Sequence, residues 1–283
     1  MSSQSGGYYL PEPSYWPIIG SVGLFLMAFG AVLTINTVSG GGYVLLAGSL
    51  VMAYMLFGWF GAVIRESESG KYNKQVDISF RWSMGWFIFS EVMFFAAFFG
   101  ALFYMRVLSI PWLAEGDTGS LLWSGFSATW PTDGPGVASK FTPMGAWGLP
   151  AINTALLLTS GVTLTIAHWA LLKGQRTKLN IFMFLTIALG VIFLILQVEE
   201  YMHAYTELDL TLESGAYGAT FYMLTGFHGF HVTIGTIMLI VIWLRGIRGH
   251  FTPETHFGFE GVAWYWHFVD VVWLGLFIMV YWL

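Results

Sequence analysis

The sequence predicts an all-α integral membrane protein that crosses the bilayer seven times. Three observations carry this reading. The 283-residue chain is 56% hydrophobic, 18% aromatic and only 10% charged, far from the composition of a soluble domain. Seven apolar stretches reach the roughly 20 residues that a helix needs to cross about 30 Å of hydrocarbon. The basic residues, finally, fall almost entirely on one side of the resulting topology.

Taken in order, the first span covers 16–35 and stops at the glycine-rich NTVSGGG; the second covers 44–64 and stops at the polar RESESGKYNKQVD. The third, 82–107, leads into a long loop, 108–147, rich in Pro, Gly and Trp. The fourth, 148–172, is separated by the basic KGQRTK from the fifth, 181–203; the sixth and seventh cover 219–244 and 262–283. An odd number of spans puts the termini on opposite faces. With the N-terminus inside, Arg65, Lys71, Lys74, Arg81, Lys173, Arg176, Lys178, Arg245 and Arg248 all lie inside, and only Arg106 and Lys140 lie outside. Three segments follow: 1–65 with the first two spans, a linker at 66–81 on the inner side, and 82–283 with the remaining five.

The net charge of −5 is too small to act as a global field. No cysteine is present, so disulfides, thioether-linked haem and thiolate metal sites are excluded. MSSQSGGYYLPEPSYW lacks the basic residues and cleavage pattern of a signal peptide, and neither a soluble domain nor an internal repeat is visible.

Polar residues at membrane depth are the candidates for chemistry. Glu91, in SEVMFF, is the one Asp, Glu, Lys, Arg or His between Arg81 and Arg106. Counting about 1.5 Å per residue from Arg81 puts it roughly 15 Å deep, near the midplane. An ionised carboxylate there costs about 2.5 to 3.5 kcal/mol, so an uncharged Glu91 is expected at pH 7. It serves either as a proton-accepting or partner-contacting carboxyl, or as a hydrogen-bonded fastener between helices. His228 and His231 on the sixth span, and His267 and Asp270 on the seventh, form two i,i+3 pairs at matching depth. They suit either a metal ligand set or interhelical hydrogen bonding. Glu199, Glu200 and His203 come near the outer end of the fifth span and are expected at the interface with access to water; His168, within about 6 Å of the inner end of its span, is assigned no chemistry. Trp59, Arg65, Glu66, Arg245, Arg248 and His250 cluster at inner ends, as lipid-phosphate contacts or as ordinary anchoring.

Read together, SEVMFFAAFF, PAINTALLLTSGVTLTIAHW, LTGFHGFHVTIGT and FGFEGVAWYWHFVDVVWL closely resemble subunit III of the haem–copper cytochrome c oxidases, from about Phe57 to the end of the sequence. The homologous subunit of quinol oxidases typically has five helices, so two extra N-terminal spans favour the cytochrome c branch. The resemblance implies seven helices in a V, with helices I and II as one arm, III to VII as the other, and phospholipids in the cleft. It implies a non-redox accessory subunit of a proton-pumping oxidase. Such a subunit binds no metal or other cofactor itself and supports proton uptake by subunit I. Haem and copper reside in partner subunits, and electrons enter from cytochrome c through subunit II. Under that resemblance Glu91 matches the family's intramembrane glutamate. Trp59, Glu66, Arg245 and His250 match lipid contacts, and His228, His231, His267 and Asp270 become a structural polar network. Lys71 and Tyr72 stand where the family often has a histidine pair. No nucleic acid partner is expected. The implied location is a bacterial inner membrane, ahead of a mitochondrial one, with a cytoplasmic N-terminus and a periplasmic C-terminus. The rivals are a quinol oxidase subunit III, a metalloenzyme built on the four His and Asp residues, and a transporter relaying protons through Glu91 and those histidines. The last is disfavoured by the lack of inverted repeats or a Gly/Pro break at the midplane.

Overall fold

A computed structural model describes residues 9–136 and 140–283. Part of the signal-peptide reading and of the 1–65 segment therefore falls on residues 1–8, and part of the long loop on 137–139, outside the described residues. Among the described residues the regular structure is entirely helical, and seven helices are long and apolar enough to cross a membrane. The chain is an integral membrane protein with the expected number of spans.

The helices are α1 (Trp16–Ile35), α2 (Gly41–Glu68), α3 (Lys74–Phe103), the short α4 (Ile110–Ala114) and α5 (Gly116–Leu121), then α6 (Leu149–Leu172), α7 (Arg176–Glu207), α8 (Gly215–Ile247) and α9 (Phe257–Leu276). Tyr104–Ser109 is a π-helical turn that joins α3 to α4, so one continuous rod runs over 41 residues from Lys74 to Ala114. Phe277–Trp282 is a second π-helical turn, extending α9. Most helices overrun their apolar windows by several residues, because turns at their ends are polar but still helical. α3 begins eight residues before Trp82, where the Asn73 Oδ1 accepts from the Val76 N–H and caps the first turn.

Two compact units divide the chain, 1–80 and 81–283. In the first, α1 and α2 form a hairpin packed on glycine. A Cβ on Gly30 would overlap the Leu45 backbone, and one on Gly48 would lie 2.5 Å from the Met27 nitrogen. Close backbone approach of this kind is how helices adhere in lipid, where apolar surface alone gives no preference for a neighbour. The Gly20 and Gly23 pair in GSVGLF lies on this seam.

The second unit is the bundle α6–α9, with α3 alongside. Trp266 and Trp273 are fully buried in it. The Trp266 indole N–H donates to Ser160 Oγ (2.9 Å) and the Trp273 N–H to Thr154 Oγ1 (2.9 Å), so α9 is fastened to α6 twice. Gly190 on α7 and Gly235 on α8 leave the space that the Trp266 ring occupies, where a Cβ would come within 2.8 and 2.9 Å of it. α3 is held differently: its backbone stands off from α8 and α9, and the gap is filled by rings, Phe94 against Phe227 (5.0 Å) and Phe95 against Phe268 (6.1 Å). The long loop folds back on one end of the bundle, where Tyr217 N–H donates to the Thr132 carbonyl (3.1 Å) and Thr142 N–H to that of Leu208 (2.9 Å).

Replacing Trp266 by Ala removes both its hydrogen bond and the filling of the α7–α8 gap. The expected cost is about 3 to 5 kcal/mol, read as a lower thermal midpoint of the purified protein.

Candidate functional site

Glu91 lies on the side of α3 that meets α8. Its Oε2 is 3.0 Å from His231 Nε2, and the two side chains are 22% and 10% exposed. The other ring nitrogen, Nδ1, is 2.6 Å from the Phe227 carbonyl one turn earlier on α8. A carbonyl only accepts, so Nδ1 carries a proton and donates it. One further proton then lies between Nε2 and Oε2. Whether it rests on the carboxyl or on the imidazole, the pair is neutral as a unit. Aromatic rings enclose it: Phe95 is 5.0 Å from the imidazole, Phe94 5.9 Å and Tyr265 6.4 Å.

The other three members of the His and Asp set do not converge on His231. His228 is fully buried, and its Nε2 donates to the Val269 carbonyl on α9 (3.1 Å). His267 and Asp270 turn toward α6: His267 Nε2 is 3.4 Å from Thr165 Oγ1, and Asp270 Oδ2 would lie 2.7 Å from a Cβ on Gly161. Three residues on a helix turn through about 300°, so His228 and His231 share a broad face yet reach different neighbours. Among the described residues no group of three or more His, Cys, Asp or Glu side chains is arranged to hold a metal ion.

Glu200 departs from the sequence expectation. Glu199 and His203 are exposed, but Glu200 is fully buried, and Tyr281 donates its hydroxyl proton to Glu200 Oε1 at 2.6 Å. α7 runs on to Glu207, so Glu200 is still inside the bundle, and the 100° step between neighbours turns Glu199 outward and Glu200 inward. His168 is partly buried with its ring 5.5 Å from that of His256, next to the Arg81–Glu260 ion pair (2.7 Å) that the His256 imidazole approaches at 3.9 Å.

Trp59 and Glu66 lie on α2 in the first unit. Trp59 is half exposed, while Glu66 lines an open groove of about 380 Å³ with Arg65, Ser69 and Lys71. The Tyr72 hydroxyl donates to Glu66 Oε2 at 2.8 Å, a contact that spacing gave no reason to expect. Burial, and then this hydrogen bond to an anion, push the Tyr72 phenol above its ordinary value. In the second unit the Arg245 guanidinium lies over the Phe251 ring at 4.6 Å, and His250 N–H closes the end of α8 on the Arg245 carbonyl.

Seven apolar helices, with a few paired polar side chains joining those of the second unit, define a multi-span membrane protein. Comparison with known proteins is specific. The family described as Cytochrome c oxidase subunit III matches residues 6–283, reaching well upstream of Phe57. Relatives named Cytochrome c oxidase subunit 3 include those of Marchantia polymorpha, 41% identical over 99% of this chain and 97% of the relative, and Halichoerus grypus, 39% identical over 100% and 99%. That of Prototheca wickerhamii is 41% identical over 97% and 96%. The chain belongs to the cytochrome c oxidase subunit III family.

Two outcomes follow from the geometry. Glu91→Gln still offers a donor to His231 Nε2 and should leave stability nearly unchanged, whereas Glu91→Ala strands that nitrogen at a cost of about 1 to 3 kcal/mol; thermal unfolding of both variants distinguishes them. A raised phenol favours the fold, a contribution fully present below its ordinary value of 10.0 and lost progressively as pH climbs from there through the raised value. The wild-type minus Tyr72→Phe absorbance difference at the phenolate band should therefore stay flat through about pH 10.

Proposed function

We propose that this chain is a non-redox accessory subunit of a proton-pumping cytochrome c oxidase, bound directly to subunit I, with subunit II and cytochrome c as further members of the electron path. The full-length family match carries this reading. In it, haem and copper belong to the partner subunits, and this chain contributes stability, structural phospholipids and support for proton uptake. The apolar side chains that α3 leaves exposed, Trp82, Trp86, Phe89 and Met93 among them, suit a lipid- or subunit-facing surface. Glu91 and His231, sharing one proton at the α3–α8 contact, are the groups suited to exchanging it with that surface.

Phospholipid headgroups are assigned to Trp59 and Glu66 in the first unit and to Arg245 and His250 in the second. Arg245 supplies charge, and Trp59 supplies an amphipathic ring at headgroup level. At Glu66 the role is narrower than the resemblance alone implied, because Tyr72 already occupies one carboxylate oxygen. The proposed location is a bacterial inner membrane, with the N-terminus in the cytoplasm and the C-terminus in the periplasm, on the asymmetry of Lys and Arg.

Deleting this subunit should leave initial electron transfer from cytochrome c in place and shorten the working life of the enzyme under turnover. Activity measured over many turnovers at several pH values checks this; a depleted complex that keeps full activity throughout overturns the support role.

A further inference from the structure

α7 turns one stripe of side chains toward the bundle interior, and the last polar members of that stripe are Gln197 and Glu200. Neighbouring helices bring polar groups to the same level. The Thr163–Thr186 hydroxyl contact (2.8 Å) sets the antiparallel register of α6 and α7, which places Asn153 opposite Gln197. The Tyr201–Thr225 contact (2.6 Å) does the same for α8 and brings His228 there. Trp273, bonded to Thr154, adds α9.

Asn153, Glu200 and His228 are 0% exposed and Gln197 is 5% exposed. Among the described residues, Asn153 Oδ1 and Nδ2, Gln197 Oε1 and Nε2, Glu200 Oε2 and His228 Nδ1 find no hydrogen-bond partner. Rings close the group on both sides. Phe193 lies 4.8 Å from Trp273 and 5.8 Å from His228; Tyr281 lies 5.9 Å from Trp273 and 5.5 Å from Phe221.

The six atoms are chemically mixed. His228 gives its Nε2 proton to Val269, so Nδ1 is an acceptor, as are Oδ1 and Oε1; the two amide nitrogens are donors. None of these atoms is hydrogen-bonded to another, so what satisfies them must both donate and accept. Water does both, and a buried water typically makes about three hydrogen bonds. A cation would engage the oxygens and leave both amide N–H₂ groups unanswered.

We propose that the interior of the α6–α9 bundle holds an ordered water cluster seated on Asn153, Gln197, Glu200 and His228. It is a hydrated site apart from the Glu91–His231 pair, and it solvates the Glu200 carboxyl inside the protein. A density map of the assembled oxidase complex, at a resolution that shows waters, tests it. Ordered peaks within hydrogen-bond distance of both amides and of Glu200 Oε2 are expected. In a complex carrying Asn153→Leu and Gln197→Leu, those peaks should be lost while the Glu91–His231 contact persists. If that variant fails to assemble, the wild-type map decides alone. A dry interior with the amides bonded to each other overturns the proposal. So does a single peak that strengthens when thallium(I) replaces sodium and potassium, which marks a cation.

Discussion

The Trp266 indole fixes the positions of four helices at once. It rises from α9, donates to Ser160 on α6 and fills the space left by Gly190 on α7 and Gly235 on α8. In lipid, apolar surface gives helices little reason to prefer one another over hydrocarbon tails, so close packing and hydrogen bonds must hold them together. Trp273 and Tyr281 repeat the device at seven- and eight-residue intervals, about two turns each, bonding to Thr154 and Glu200. One stripe thus docks the second half of α9 and its π-helical extension, each time through a large ring with a polar edge. Such side chains are well suited to the task, since the ring supplies contact area while its N–H or O–H finds a partner.

The two units reach stability by different routes. α1 and α2 come together backbone to backbone over glycines, with few polar side chains on the seam. The second unit buries carboxyls, imidazoles and amides, and a stranded polar group there costs about 1 to 3 kcal/mol. His228 meets this demand with a carbonyl, and Glu91 with His231. The second solution differs in kind, because the group shared between the partners is a proton rather than a fixed donor.

The spans were legible because a run of about 20 apolar residues has few alternatives to crossing the bilayer. Their ends were less so. Hydropathy stops at the first polar turn, whereas the helix goes on until a cap or glycine interrupts it, as Asn73 does at the start of α3. Glu200 is expected at the interface from its distance along the fifth span, but α7 runs on to Glu207 and helical rotation turns Glu200 inward while its neighbour Glu199 faces out. The Glu91–His231 contact joins residues 140 apart in sequence, and nothing in either local stretch specifies it. Tyr72 is a milder case: its spacing from Glu66 across a turn carries no signal, yet the turn brings hydroxyl and carboxylate together.

The rod from Lys74 to Ala114 has a further consequence. At about 1.5 Å per residue, its 41 residues amount to roughly 60 Å, twice the hydrocarbon thickness of a typical bilayer. Such a helix must tilt, protrude or do both, and a thinner or thicker host membrane acts on its inclination. α3 is nevertheless tied at three levels, by Arg81 to Glu260 on α9 (2.7 Å), by Glu91 to His231 on α8 (3.0 Å) and by Arg106 to the Leu283 carbonyl (2.6 Å), so it leans together with the bundle it is bonded to. Bilayer thickness thereby acts on α3 and the bundle as one body, with the Glu91–His231 contact carried along intact.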